Sequence, residues 1–97
     1  MQYNFEWDPV KARINVRKHG LRFEEAATVF KDPRALTLFD TEHDAAEDRW
    51  ITMGMIGTMC ICVVHHTFQE ASEEAVLVRI FSARKATRKE QQQYEGR

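Results

Sequence analysis

No apolar run in this chain is long enough to span a bilayer, and its N-terminus lacks the basic start and apolar core of a secretion signal. The expected location is the cytoplasm, with no membrane partner. Cysteine is scarce. Cys60 and Cys62 lie two apart in an apolar, strand-like run. Residues at that spacing point the same way but rarely meet disulfide geometry, so both read as reduced, buried thiols. Internal repeats, linkers and low-complexity stretches are missing. At 97 residues the chain is expected to form one domain, 1–97, with a small core. It carries no G-x-S-x-G, P-loop or dinucleotide fingerprint, and no carboxylate pair stands out from its acidic segment.

Metal binding is poorly served. Cys60, Cys62 and His66 share a strand face by parity. Structural zinc, however, takes its ligand pairs from turns with C-x2-4-C spacing, not from C-x-C inside a strand. Neither a metal nor another cofactor is expected.

What the chain does have is segregated charge. The net charge of −1 combines 14 Lys and Arg with 15 Asp and Glu. From Pro9 to Phe23 the charges are Lys11, Arg13, Arg17, Lys18 and Arg22, without an acid. From Asp40 to Asp48 they are Asp40, Glu42, Asp44, Glu47 and Asp48, without a base. A near-neutral total of this kind still permits a local anion-binding face. The densest basic segment is Ser82-Ala83-Arg84-Lys85-Ala86-Thr87-Arg88-Lys89-Glu90. Thr87 and Glu90 have the T-x-x-E spacing of a capping box. A strand should end there and a helix begin, its N-terminus favouring anions.

The remaining elements follow from local signals. Tyr3 to Trp7 alternates as a half-buried strand. Asp8-Pro9 reads as N-cap and first helical residue, Val10 and Ile14 mark one face, and Gly20 stops the helix after Arg17, Lys18 and His19. Phe23, Ala26, Ala27 and Phe30 form the stripe of a second helix, closed by Asp32-Pro33. Strands are expected over Ala35–Phe39, Arg49–Ile56, Met59–Val64 and Ala75–Phe81, with a tight turn at Gly57-Thr58 and loops over Asp40–Asp48 and Phe68–Glu74. A last helix runs from Arg88 towards Tyr94. The order β-α-α-β-β-β-β-α gives an α+β domain, a small antiparallel sheet with two N-terminal helices and one C-terminal helix packed on it.

Arg79 sits among apolar neighbours in Val76-Leu77-Val78-Arg79-Ile80-Phe81. A cation there must snorkel to an edge, pair with an acid, Glu47 or Asp48 of the acidic loop being candidates, or face a cleft as a site arginine. His19 can serve as a helix C-terminal dipole partner, or as an acid, a base or a phosphate contact. His65 and His66 end the central strand on opposite faces, so only one easily enters a given cleft. His43 should simply be exposed. Trp7, Lys18, His19, Arg79, Arg84, Lys85 and Arg88 then form a cationic set with an aromatic. RNA suits such a set: its backbone takes the cations, its bases stack, and its 2′-hydroxyl is an internal nucleophile.

Phe5-Glu6-Trp7-Asp8-Pro9, Asn15 with Lys18-His19-Gly20, Phe23-Glu24-Glu25-Ala26, Val29-Phe30-Lys31-Asp32-Pro33, Glu47-Asp48-Arg49-Trp50 and the Ser82–Glu90 segment together resemble the BrnT family, over nearly the whole chain. The resemblance implies a RelE-like ribonuclease toxin of a type II toxin–antitoxin system, which inhibits translation by cutting RNA. It implies a BrnA-like antitoxin that carries a DNA-binding domain and brings the complex to operator DNA. It also implies basic site residues on and after the last strand, here Arg79, Arg84 and Lys85, and a K-H-G signature, here Lys18-His19-Gly20. Relatives often carry a short hairpin with a cation after the central strand, whereas His65 to Glu74 is longer, acidic and without one. The expected site therefore comprises Arg79, Arg84 and His19 as catalytic residues, with Trp7, Lys18, Lys85, Arg88 and His65 binding RNA. The alternative is a catalytically weak or inactive relative that acts as an antitoxin-binding, co-repressing module.

Overall fold

The computed structural model describes residues 1–42 and 48–96. Expectations for His43 and Glu47 fall outside these residues. The elements are β1 (Gln2–Glu6), α1 (Pro9–His19), α2 (Phe23–Ala27) continued by a 3₁₀ turn (Thr28–Lys31), β2 (Leu36–Phe39), β3 (Trp50–Ile56), β4 (Cys60–Glu70), β5 (Ala75–Lys85) and α3 (Arg88–Glu95). The expected α+β class and element order hold. Five strands form one sheet in the order β1-β5-β4-β3-β2. The last four pair antiparallel, as short connections require, while β1 joins β5 in parallel.

The local signals act as their chemistry dictates. The Asp8 carboxylate accepts from the Val10 N–H at 2.8 Å, Pro9 opens α1, and Gly20 closes it with a φ of 70°, in the left-handed region that glycine enters freely. Thr87 and Glu90 form both halves of the capping box that starts α3.

Two faces of the sheet bury different cores. On the first, α1, α2 and the 3₁₀ turn cover Phe23, Ala26, Val29, Cys62, Val64, Val78, Ile80 and Ala83, with Phe5, Trp7, Phe30 and Phe68 packed around them. Gly54 of β3 permits the close approach of this layer, since a Cβ there would lie 2.9 Å from the Val29 Cβ. On the second, α3 and β2 enclose a smaller cluster of Met53, Ile61, Val63, Ala86 and Tyr94. Tyr94 anchors α3 by donating its hydroxyl proton to Asp32, whose carboxylate also accepts from the Met55 N–H at 2.8 Å.

Several expectations are corrected. β4 does not stop near Val64 but continues to Glu70, so the connection to β5 shrinks to residues 71–74. Phe68, Gln69 and Glu70 pair with Val78, Leu77 and Val76, and this backbone pairing outweighs their mixed polarity. β5 likewise runs to Lys85, so Arg84 and Lys85 belong to the strand rather than to the turn after it. On α1, Val10 and Ile14 are 52% and 51% exposed, and the buried residue is Asn15. Beyond Arg79, β5 has no β1 partner. There the Asn15 side chain pairs with it, accepting from the Ala83 N–H at 3.1 Å and donating to the Ala83 carbonyl at 2.9 Å. A second donor bond reaches the Leu21 carbonyl at 2.9 Å. This amide replaces a neighbouring strand and fixes α1 against the sheet, each bond being worth about 1 kcal/mol.

Candidate functional site

The extension of β4 and β5 determines where the charged side chains go. His65 pairs with Ser82 and His66 with Ile80, leaving Phe81 as the extra residue of a β-bulge. A bulge bends its strand and re-aims side chains, and bulges are frequent beside functional sites. Two consecutive histidines consequently meet different surroundings.

His66 belongs to the first core. It is fully buried, and its ring centroid lies 5.0 Å from that of Phe30 and 4.7 Å from that of Phe68. Its Nδ1 faces the Thr67 carbonyl at 3.2 Å and so carries the proton. Its Nε2 accordingly accepts from the Thr52 hydroxyl at 2.7 Å, which in turn accepts from Thr37 at 2.9 Å. Burial pushes its pKa down to about 4. His66 is a neutral core residue and faces no cleft.

His65 lies on the second face, in the part that α3 leaves open. It lines a groove of about 410 Å³ with Asp40, Glu42, Ile51, Arg84 and Glu90. Burial and then the Arg84 charge lower its pKa, while Asp40 and Glu90 oppose them. The ring is therefore neutral at physiological pH and accessible. Arg84 is clamped by Glu90, whose two carboxylate oxygens accept from it at 2.7 and 2.9 Å. That clamp, with the Thr87 N–H second to it, holds the Glu90 carboxyl at about 2. The pair ties β5 to α3 and fixes the plane of the guanidinium beside His65.

A second groove opens on the other side of the bulge. It is lined by Lys11, Ile14, Asn15, Lys18 and His19 of α1 with Phe81 and Ser82 of β5. The Lys11 Nζ lies 5.5 Å from the Phe81 ring centroid, and the Arg49 guanidinium lies 4.0 Å from it. Ser82, which lines this groove together with His19, is the strand partner of His65.

The expected site residues divide accordingly. Arg84 and His65 come together on the open face, and Lys18 and His19 line the second groove. Arg79 is exposed and forms an ion pair at 3.1 Å with Glu6, its neighbour on β1, rather than with Asp48. Trp7 packs edge-on against Phe23 at 5.9 Å and is partly buried. Lys85 and Arg88 are exposed, at the end of β5 and the start of α3. Lys11, Arg49 and Phe81 escaped the sequence reading as site residues. Only the basic run on α1 and an aromatic beside a cationic segment hinted at them. Among the described residues no group of three or more His, Cys, Asp or Glu side chains is placed to hold a metal ion. Cys62 is buried, its thiol pushed up to about 12 by burial, and Cys60 is half-buried. Among the described residues, no helix is long and apolar enough to cross a membrane.

A family model described as "Ribonuclease toxin, BrnT, of type II toxin-antitoxin system" matches residues 7–90. Among solved structures the chain is similar to the ribonuclease toxin BrnT of Brucella abortus, with 23% identity and a TM-score of 0.60, over 91% of this chain and 100% of that one. At that identity the likeness concerns the fold. No curated protein matches the sequence.

Proposed function

The chain belongs to the BrnT family of ribonuclease toxins of type II toxin–antitoxin systems, and on that premise we propose that it cleaves RNA without a metal, on the open face that carries His65 and Arg84. The observation that carries this reading is the pairing at the bulge: His65, which shares a groove with the fixed Arg84 guanidinium, is the strand partner of Ser82, which lines a groove with the α1 cations. His65 takes the proton of a 2′-hydroxyl. The 2′-oxygen then bonds to phosphorus, the bond from phosphorus to the 5′-oxygen breaks, and that oxygen takes a proton from His19 across the bulge. The products are a 2′,3′-cyclic phosphate and a 5′-hydroxyl. Arg84 stabilises the charge of the transition state, and Lys11 and Lys18 hold the backbone on the α1 side. Arg79, Lys85 and Arg88 contact more distant phosphates. Trp7 supports the α2 layer.

Cleavage of a structured RNA in EDTA tests this reading. The parent should yield cyclic phosphate ends, a 2′-deoxy substitution at the cut site should block the reaction, and His65→Ala should slow it about 10²–10⁴-fold while keeping its fold by circular dichroism. A folded parent that leaves RNA intact at low salt would sink the proposal.

A type II toxin has an antitoxin partner, and for this chain we assign a BrnA-like protein with a DNA-binding domain that carries the complex to its operator. One observation favours the non-catalytic alternative, a co-repressing module: both Arg79 and Arg84 already have carboxylate partners. Expression without the antitoxin separates the two readings, since a ribonuclease arrests growth and a co-repressor does not.

A further inference from the structure

We propose that Arg49 binds the scissile phosphate and stabilises the negative charge that gathers on its non-bridging oxygens. The assignment depends on the ribonuclease reading of the open face and adds a catalytic residue to it. Arg49 immediately precedes β3, yet its guanidinium lies 4.0 Å from the centroid of Phe81 on β5, so the side chain crosses the whole of β4. Its charge is among those that lower the pKa of His65, after burial and Arg84.

Two further observations distinguish it from the other arginines of this face. Arg79 and Arg84 are paired with Glu6 and Glu90, whereas among the described residues no carboxylate lies within ion-pair distance of Arg49. In addition, its Nε is buried without a hydrogen-bond partner. Native folds leave few buried donors unpaired, and a functional role is one of the few reasons for keeping one. The guanidinium carbon lies over the Phe81 ring, and this cation–π contact holds the group in place. A planar fork is suited to two oxygens of one phosphate, and a held position avoids reorganisation when the charge develops. The ring under the guanidinium belongs to the extra residue of the bulge.

Single-turnover cleavage by the full chain tests the assignment, with Arg49→Ala, Arg49→Lys and Phe81→Leu beside the parent and with phosphorothioates of either configuration at the cut site. Arg49→Ala should cleave about 10²–10³-fold more slowly. Arg49→Lys should recover little of that loss, because an ammonium lacks the planar fork. The parent should discriminate between the two phosphorothioates, and Arg49→Lys, which keeps the charge and most of the packing, should lose that preference. A merely structural arginine would leave the preference untouched. If the parent cleaves and Arg49→Ala stays within threefold of it, or Arg49→Lys keeps the parent's preference, the assignment is wrong and the ribonuclease reading survives. If the parent itself does not cleave, both fall.

Discussion

His65 and His66 are consecutive in β4, yet one lines an open groove while the other packs against phenylalanine and threonine. Strand alternation sends them to opposite faces of the sheet. The first face is sealed by α1, α2 and the 3₁₀ turn, and it turns His66 into a neutral core residue. The second is covered by α3 only in part, and it leaves His65 between Arg84 and Asp40 in an open groove. The same side chain is structural or chemically available depending on how far a helix covers its face. Local sequence carries no trace of that difference.

Replacing each histidine separately gives the sharpest contrast. His65→Ala should lower the cleavage rate about 10²–10⁴-fold, the usual contribution of a general base, with little change in Tm. His66→Ala should instead cost about 2–4 kcal/mol of stability through the lost packing and the Thr52 hydroxyl left without its acceptor. Its activity per folded molecule should stay near that of the parent. Urea unfolding and single-turnover cleavage on the same two variants decide this, and a destabilised but catalytically normal His65→Ala would reverse the comparison.

Acid pH probes the sealed face. The folded pKa of His66, about 4, lies below the ordinary value near 6.5, so the fold favours the neutral ring. The stability it contributes is complete above pH 6.5 and is lost as pH falls from there towards 4, about 3 kcal/mol in all. Denaturation series between pH 7 and 4 should show this loss in the parent, and His66→Gln should lack that share of it. Glu90 acts lower, since its depressed carboxyl contributes stability that is present above about 4.5 and lost as pH falls towards 2.

Smaller effects are expected at the rim of the open face. Glu90→Gln keeps a capping oxygen but loses the charge facing Arg84. It should cost about 1 kcal/mol and loosen α3, which hydrogen exchange at Gln91–Tyr94 would register. Arg79→Ala, at an ion pair whose two side chains are each 45% exposed, should cost at most about 1 kcal/mol. Its mark would be a weaker salt dependence of RNA binding, the slope falling by about 1, with the cleavage step unchanged. A collapse of the cleavage step would move Arg79 into the reacting centre.

Much of the fold was legible because its signals are short-range. Asp8-Pro9, Gly20 and the Thr87–Glu90 box act within one helical turn, and the strands of the central region show their own alternation or apolar runs. The end of β4 was not legible, because Gln69 and Glu70 extend the strand only by virtue of their partners in β5. The burial of Asn15 was not legible either. Its partner Ala83 lies 68 residues away, on a strand edge that exists only because β1 stops at Glu6.

The sequence by itself determined the elements, their order and the family, since capping, periodicity and motif identity are carried by neighbouring residues. Tertiary structure alone decided which residues face the groove. The bulge at Phe81 depends on the register of two strands, Glu90 meets Arg84 only once α3 has packed, and Arg49 reaches Phe81 only across a finished sheet. Each of these contacts joins different elements, so its geometry is fixed by packing and not by local preference.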